Sequence, residues 1–133
     1  MSRHRYECHV RFSDVDIYRH VNNVKYFEYY QEARLAFLST LGRHETRGRF
    51  SVVVARIQVD YRRPLLFRPE PYVVETWIED VGRSSYTLGS EIKDDDSVVS
   101  SARAVLVGFD RRRQASRELT DDERDRLRAV MAG

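Results

Sequence analysis

Apolar and polar residues alternate in several parts of the chain, and a period of two predicts β-strands with one buried face. The first such segment covers residues 5–12, and the second covers residues 51–62. After a proline-rich turn, three more segments rich in strand-forming residues follow at residues 72–81, 85–93 and 98–109. Only short turns separate these last three segments, so we expect them to pair as antiparallel neighbours.

Between the first two strands, apolar side chains recur at the spacing of a helix. The stripe consists of Tyr26, Tyr30, Ala33, Phe37 and Leu41, and Phe27, Leu35 and Leu38 widen it. Asn22 or Asn23 is a suitable N-cap and Gly42 is a suitable C-cap, so a long helix is predicted between them. A second, short helix should run from an N-cap at Thr120 to Met131, because acidic residues fill its first turn.

The predicted order is one strand, a long helix, four strands and a short C-terminal helix, in a single domain over residues 1–133. The apolar face of the long helix must be buried, and the concave face of an antiparallel sheet is the surface available to it. The second strand would add an apolar face to this core, formed by Val53, Ala55, Ile57, Val59 and Tyr61. We therefore predict an α+β fold in which an antiparallel sheet wraps around one long central helix.

The composition narrows the classes of partner. The net charge is +2, and the charged residues, 33% of the chain, carry both signs, which is too balanced to indicate nucleic acid binding. No apolar run approaches the length of about 18 residues that a membrane-spanning helix needs. The single Cys8 excludes an internal disulfide and fits a reducing compartment. We therefore expect a soluble, cytoplasmic protein.

Candidate chemistry is concentrated just before the long helix. Within ten residues the chain holds two carboxylates, a histidine and two asparagines, namely Asp14, Asp16, His20, Asn22 and Asn23. The first N–H groups of a helix have no partner inside that helix, and they stabilise negative charge. The segment brings an acid, an imidazole and free backbone donors together, which is typical of a catalytic site when the fold forms a pocket there.

The run from Asp14 to Tyr26, Asp-Val-Asp followed by His-Val-Asn-Asn-Val-Lys-Tyr, resembles the hotdog-fold thioesterases, in particular the 4-hydroxybenzoyl-CoA thioesterase-like acyl-CoA hydrolases. The spacing of ten between Asp16 and Tyr26 matches that family's catalytic aspartate and helix tyrosine. Residues 59–65 and 81–85 are also similar to family stretches, and the resemblance covers roughly residues 4–119. The motif is similar to that of plant acyl-ACP thioesterases too, although Tyr18 stands where their motif has asparagine.

The resemblance implies a role for most residues of this motif, and a structural explanation stands beside each. Asp16 would be the catalytic acid, acting as general base or as nucleophile, or else a residue that caps a turn. His20 would orient or protonate part of the reaction centre, or else be a loop histidine. Asn23 would polarise the thioester carbonyl through its backbone N–H, with its side chain as a cap, and Tyr26 would be a core residue that lines the pocket. Asp14 is interpreted as structural.

Arginines near two turns are the candidate contacts of the substrate's phosphates, since guanidinium groups suit phosphate binding. They are Arg83 with its neighbour Ser84, and the run formed by Arg111, Arg112 and Arg113. The structural alternatives are an ordinary turn and a solvated charge run. The sequence contains no metal-ligand motif or phosphate-binding loop. We therefore expect no metal and no resident cofactor, and coenzyme A would arrive as part of the substrate.

The resemblance implies an acyl-CoA thioesterase that assembles as a homodimer, or as a dimer of dimers (a homotetramer), with active sites at the subunit boundary. Open sheet edges give an independent reason for pairing, because unpaired edge strands are normally covered. Three alternatives stay open at this point, namely an acyl-ACP thioesterase, a hotdog hydratase or dehydratase, and a non-catalytic module that binds acyl thioesters.

Overall fold

The structure is a computed structural model that describes residues 2–41 and 51–133. In chain order the elements are β1 (His4–Cys8), a 3-10 turn (Phe12–Asp14), α1 (Lys25–Ser39), β2 (Val52–Tyr61), β3 (Tyr72–Val81), β4 (Ser85–Asp94), β5 (Ser97–Asp110), β6 (Ala115–Ser116) and α2 (Asp121–Ala132). The strands form an antiparallel sheet in the order β1-β3-β4-β5-β2, and β6 pairs with β5. The predicted antiparallel sheet with a helix after its first strand and a short C-terminal helix is therefore confirmed.

α1 has 15 residues and ends slightly before the predicted end at Leu41. Every member of the predicted stripe is buried, namely Tyr26, Tyr30, Ala33, Phe37 and Leu41. The predicted widening of the stripe is wrong for Phe27 and Leu35, whose side chains are 38% and 50% exposed. Tyr29 is buried in the core instead, and its hydroxyl donates a hydrogen bond to Asp14 in the preceding turn. The C-cap predicted at Gly42 lies outside the described residues.

β2 departs from the predicted alternation because it contains a β-bulge. Its pairing with β5 shifts register between Val54 and Arg56, which leaves Ala55 without a partner in the ladder. An extra residue in one strand changes which side chains face inward. Val52 and Ile57 therefore both pack on the core, whereas Val53, predicted to be buried, is 42% exposed. After the bulge, Ile57 and Val59 pack on the core as predicted, whereas Tyr61 is 45% exposed.

The core has two parts, and the first lies beneath the loop that precedes α1. That part joins the first half of α1 to the sheet and to the loop through Val21, Tyr26, Tyr30, Leu65, Val74, Ile92 and Val99. The second part joins the end of α1 to the other end of the sheet and to α2 through Phe37, Leu41, Tyr86, Leu88, Leu106 and Leu127. The loop before α1 thus rests on a packed apolar layer, which fixes its position relative to the sheet.

α2 begins where the sequence predicts. The Thr120 hydroxyl accepts the N–H of Glu123 at 3.1 Å, and the Glu123 carboxylate accepts the N–H of Thr120 at 2.7 Å. Glu123 is buried, and Arg117 balances its charge at 2.8 Å. This capping box explains the sharp start of the helix. Neither of the helices in the described part of the chain is long and apolar enough to cross a membrane.

Candidate active site

Asp14 anchors the loop that leads into α1. Its side chain is buried and accepts hydrogen bonds from the Tyr29 hydroxyl at 2.6 Å and from the Arg11 backbone N–H at 3.0 Å. The Arg11 guanidinium adds an ion pair at 3.0 Å. Burial alone would raise the pKa of the Asp14 carboxyl, but these hydrogen bonds outweigh it and hold that pKa below its ordinary value. Asp14 therefore has the structural role that the sequence predicts.

Asp16 closes a tight turn and still leaves one carboxylate oxygen unused. Its Oδ1 accepts the backbone N–H groups of Tyr18 at 2.9 Å and His20 at 3.1 Å. The backbone N–H of Asp16 donates to the carbonyl of His20, and Arg19 between them has a positive φ of 63°. Within residues 2–41 and 51–133, no group donates a hydrogen bond to Oδ2. The turn-capping explanation of Asp16 is therefore correct, and it does not occupy the whole carboxylate.

His20 is exposed at the end of this turn. Short antiparallel bridges hold the segment, one from Val15 to Val21 and one from His20 to Leu66. The imidazole makes no hydrogen bond to any described residue, and its ring centroid lies 6.5 Å from that of Tyr18. The backbone of His20 is thus fixed while its side chain remains available to a ligand.

The start of α1 differs from the prediction. Val24, and neither asparagine, occupies the N-cap position, and no side chain caps the helix. Instead Asn22 Oδ1 accepts the N–H of Val24 at 3.1 Å, and the Asn22 carbonyl accepts the N–H of Lys25 at 2.9 Å. The predicted N-cap role of Asn22 or of the Asn23 side chain is therefore wrong, because the Asn22 side chain closes a turn one residue before the helix. The N–H of Asn23 has no acceptor among the described residues.

Two tyrosines join this loop to the sheet. Tyr26 is buried, and its hydroxyl accepts the N–H of Leu65 at 3.0 Å. Burial raises the pKa of Tyr26 above its ordinary value, so the phenol stays protonated at neutral pH. The ring of Tyr61, the last residue of β2, stands edge-on to that of Tyr26 with centroids 4.7 Å apart, and its hydroxyl donates to the Asn23 carbonyl at 3.0 Å.

These residues surround a cleft of about 510 Å³. It is lined by Asp16, His20, Val21, Asn22, Asn23, Tyr26, Tyr61, Arg62, Arg63 and Pro64. The fold thus brings together Asp16, His20, Asn23 and Tyr26, four residues that the sequence singles out. Sequence reasoning missed Tyr61, Arg62 and Arg63, and the available signal was their position at a strand end just before a proline.

The predicted phosphate contacts lie elsewhere in the chain. Arg83 is exposed, and its guanidinium lies 3.6 Å from the Glu118 carboxylate. The Ser84 carbonyl accepts the N–H of Gly108. Arg111 and Arg113 are exposed in the turn after β5.

Arg83, Ser84, Arg111 and Arg113 lie at one end of the sheet, and the cleft lies at the other end. In the pairing of β2 with β5, Tyr61 at the end of β2 lies opposite Ser100, and Val52 at the start of β2 lies opposite Gly108. Eight residues of strand at about 3.3 Å each separate the two ends by roughly 26 Å. Within a single chain, Arg83, Ser84, Arg111 and Arg113 therefore do not share the cleft with Asp16.

The described residues give no structural support for a reactive cysteine or for a metal site. Cys8 is buried in the core, and burial raises the pKa of its thiol to about 12. Across the described ranges, no three His, Cys, Asp or Glu side chains come close enough together to hold a metal ion.

The sequence has clear relatives. Residues 10–128 match the family model of the Thioesterase-like superfamily. The chain is 31% identical over 122 residues to YsmA, an uncharacterized protein of Bacillus subtilis (strain 168), which covers 89% of this chain and 80% of YsmA. It is 27% identical over 126 residues to the long-chain acyl-CoA thioesterase FadM of Escherichia coli (strain K12), which covers 92% of this chain and 95% of FadM.

Solved structures agree with these sequence matches. A thioesterase from Thermus thermophilus, complexed with coenzyme A and Zn, superposes with a TM-score of 0.83 at 29% identity and covers 97% of this chain and 95% of its own. The PA2801 protein of Pseudomonas aeruginosa gives a TM-score of 0.82 at 30% identity, and the match covers 96% of this chain and 97% of PA2801. The antiparallel sheet with two helices matches these hotdog-type neighbours. The chain therefore belongs to the thioesterase-like superfamily, and it is a thioester hydrolase.

Proposed function

We propose that this chain hydrolyses an acyl-CoA thioester to the free acid and coenzyme A, with Asp16 as the reacting acid. One observation carries the proposal: Asp16 and Asn23 line the same cleft. Among the described residues, Asp16 Oδ2 accepts no hydrogen bond and the Asn23 backbone N–H has no acceptor. A similar protein, FadM, is a long-chain acyl-CoA thioesterase, and a similar structure contains coenzyme A. Both support coenzyme A as the carrier of the acyl group.

In this mechanism the thioester carbonyl oxygen accepts the Asn23 N–H at the start of α1. Attack on the carbonyl carbon places negative charge on that oxygen, and one such donor typically stabilises the transition state by about 3 kcal/mol. The positive end of the α1 dipole acts in the same direction. The donor and the attacking group thus come from one loop that the first core cluster supports.

Asp16 then acts in one of two ways. As general base, it takes a proton from water while the water oxygen bonds to the carbonyl carbon, and the C–S bond breaks as the tetrahedral intermediate collapses. As nucleophile, it bonds to the carbonyl carbon itself, and water hydrolyses the resulting anhydride. In both cases the departing thiolate of coenzyme A takes up a proton, and His20 in the same cleft is our candidate for its donor.

We further propose a homodimer that pairs the β2 strands of two copies, so that the hotdog sheet, wrapped around α1 as its central helix, continues across the subunit boundary. β2 ends the sheet order, and its Val53 and Val54 side chains are 42% and 44% exposed. An exposed apolar edge is normally covered. A two-fold axis uses the same surface on both copies, and two such dimers can pair in the same way into a dimer of dimers.

Antiparallel pairing of β2 with its copy would also complete the substrate site. The Val52 end of one strand would then lie beside the Tyr61 end of the other. Because Gly108 pairs with Val52 and also bonds to Ser84, that end carries Ser84, Arg83 and the arginines after β5. The second copy would thus bring Arg83, Ser84, Arg111 and Arg113 towards the cleft, where they would bind the phosphates of coenzyme A.

The test is a thiol-release assay on the purified protein with straight-chain and aromatic acyl-CoAs, followed by Asp16→Asn. This change keeps the size and the hydrogen-bonding oxygen of the side chain but removes its charge, so kcat should fall by about 10²- to 10⁴-fold while the protein still folds and binds acyl-CoA. Asp95→Asn is the matched control, because Asp95 is exposed at the tip between β4 and β5.

Each failure has a distinct meaning. Near-normal thiol release by folded Asp16→Asn would disprove the assignment of the reacting acid. Release of no thiol by the unmodified protein would disprove acyl-CoA hydrolysis, and a changed double bond in the product would indicate a hydratase or dehydratase. Hydrolysis of acyl carrier protein thioesters alone would identify the other carrier. The cytoplasmic location and the absence of a resident cofactor stay predictions.

A further inference from the structure

We propose that Tyr61 is a positioning residue that holds the Asn23 backbone in the orientation in which its N–H meets the thioester carbonyl oxygen. The inference rests on the proposed function, in which that N–H stabilises the oxyanion. It assigns a role in the reaction to a residue of the edge strand β2, which lies 38 positions from Asn23 along the chain.

The peptide group between Asn23 and Val24 is held at both of its polar atoms. The Tyr61 hydroxyl donates to the Asn23 carbonyl at 3.0 Å, and Asn22 Oδ1 accepts the N–H of Val24 at 3.1 Å. A peptide group is planar, so fixing its oxygen and its nitrogen fixes the whole plane. The N–H of Asn23 belongs to the preceding peptide group, whose carbonyl, that of Asn22, accepts the N–H of Lys25 at 2.9 Å. With the peptide groups on both sides of Asn23 held, the direction of its N–H is fixed, and Tyr61 supplies the hold on the C-terminal side. The Asn23 N–H itself has no acceptor in the described part of the chain.

The hydroxyl that holds this peptide belongs to a rigid support. Tyr61 pairs with Ser100 in the sheet, and the next two N–H groups, from Arg62 and Arg63, both donate to the Val99 carbonyl. The Tyr61 ring is fixed against the buried Tyr26 ring at 4.7 Å. The Asn23 carbonyl is therefore tied to the sheet rather than to the helix that follows it.

Because the sheet holds this peptide group rigidly, loss of the Tyr61 hydroxyl should affect the transition state more than the bound substrate. A preorganised donor stabilises charge at no reorganisation cost when the charge develops, whereas a mobile donor must first be ordered. The neutral carbonyl of the bound substrate gains less from the donor than the oxyanion does. Loss of the Tyr61 hydroxyl should therefore lower kcat and leave KM nearly unchanged.

The experiment compares Tyr61→Phe with the matched control Tyr30→Phe. Both variants keep an aromatic ring and lose a hydroxyl that donates one hydrogen bond. The Tyr30 hydroxyl donates to Ser100 Oγ at 2.7 Å in the core, and Ser100 is the ladder partner of Tyr61, so Tyr30→Phe weakens the sheet beside Tyr61 without removing the bond to Asn23. We expect Tyr61→Phe to lower kcat about 3- to 10-fold, which is the range for one neutral hydrogen bond. We expect Tyr30→Phe to lower the unfolding midpoint and to change kcat less than twofold.

Two readouts separate positioning from a general loss of structure. A trifluoromethyl ketone analogue of acyl-CoA forms an oxyanion at the carbonyl position, whereas a thioether analogue does not. Tyr61→Phe should bind the ketone analogue more weakly, by the factor lost from kcat, and should bind the thioether analogue as well as the unmodified protein does. Amide hydrogen exchange at Val24 should also become faster in Tyr61→Phe, because the peptide loses one of its two supports.

Several results would overturn the inference. They are an unchanged kcat in Tyr61→Phe, an equal loss of affinity for both analogues, and an equal fall of kcat in Tyr30→Phe. A failure of the proposed function is distinguishable, since in that case the unmodified protein itself would release no thiol. Active unmodified protein with a fully active Tyr61→Phe would refute only the role of Tyr61.

Discussion

Replacing Asp14 with asparagine should destabilise the fold much more than it slows the reaction. The carboxylate is 1% exposed and accepts buried hydrogen bonds from the Tyr29 hydroxyl and the Arg11 N–H. Hydrogen bonds to a charged group are worth about 1.5–3 kcal/mol each. The Arg11 side chain is 61% exposed, so water screens its ion pair with Asp14, and that pair adds little to the stability.

Asparagine keeps the shape of the side chain and one acceptor oxygen. Its NH₂ group, however, is a donor and would face the Tyr29 hydroxyl and the Arg11 N–H groups, which are donors too. About one charge-assisted bond is lost and one donor is left poorly paired, so we expect the free energy of unfolding to fall by about 2–4 kcal/mol. A domain of this size has a total stability of about 5–15 kcal/mol. The variant should therefore fold, with a clearly lower unfolding midpoint.

The assay is urea unfolding followed by circular dichroism and by the fluorescence of Trp77, the only tryptophan in the chain. The midpoint should fall with little change in the slope of free energy against urea. Asp16→Asn is the paired comparison, because its side chain is exposed and keeps its Oδ1 acceptor. It should lose activity and keep its stability. A shift below about 0.5 kcal/mol in Asp14→Asn, or a loss of kcat as large as in Asp16→Asn, would refute this reasoning.

The effect should also depend on pH in a defined direction. The folded-state pKa of Asp14 lies below its ordinary value of 3.8, so the ionised carboxylate stabilises the fold above that pH. The contribution is lost as the pH falls through the lower, folded-state pKa. The difference in unfolding free energy between the unmodified protein and Asp14→Asn should therefore be full at neutral pH and shrink below about pH 4.

Two further outcomes are expected. Replacing Arg83 and Arg113 with alanine should raise KM for acyl-CoA about tenfold and leave turnover of a truncated thioester without the nucleotide nearly intact. An unchanged KM would show that the phosphates bind elsewhere, and Arg62 and Arg63 in the cleft would be the next candidates. Light scattering should show a dimer, or a dimer of dimers, at micromolar concentration, and a fully active monomer would contradict pairing through β2.

The sequence by itself predicted the elements whose pattern is local. The stripe from Tyr26 to Leu41 is buried as predicted, β3 has the predicted bounds, and α2 begins at the Thr120 cap. The meeting of Asp16, His20 and Asn23 in one cleft was predictable for the same reason. These residues are neighbours along the chain, and a short loop before a helix cannot separate them widely.

The tertiary structure alone decided which distant groups meet that loop. The bulge at Ala55, the burial of Asp14 under Tyr29 and the bond from Tyr61 to Asn23 have no local signal. The roughly 26 Å between the cleft and Arg83 likewise follows from the register of β5 with β2. Hydrophobic periodicity is set by residues adjacent in the chain. Register, bulges and the partners of buried hydroxyls depend instead on which strands pair across long stretches of sequence, and that is decided only when the whole core packs.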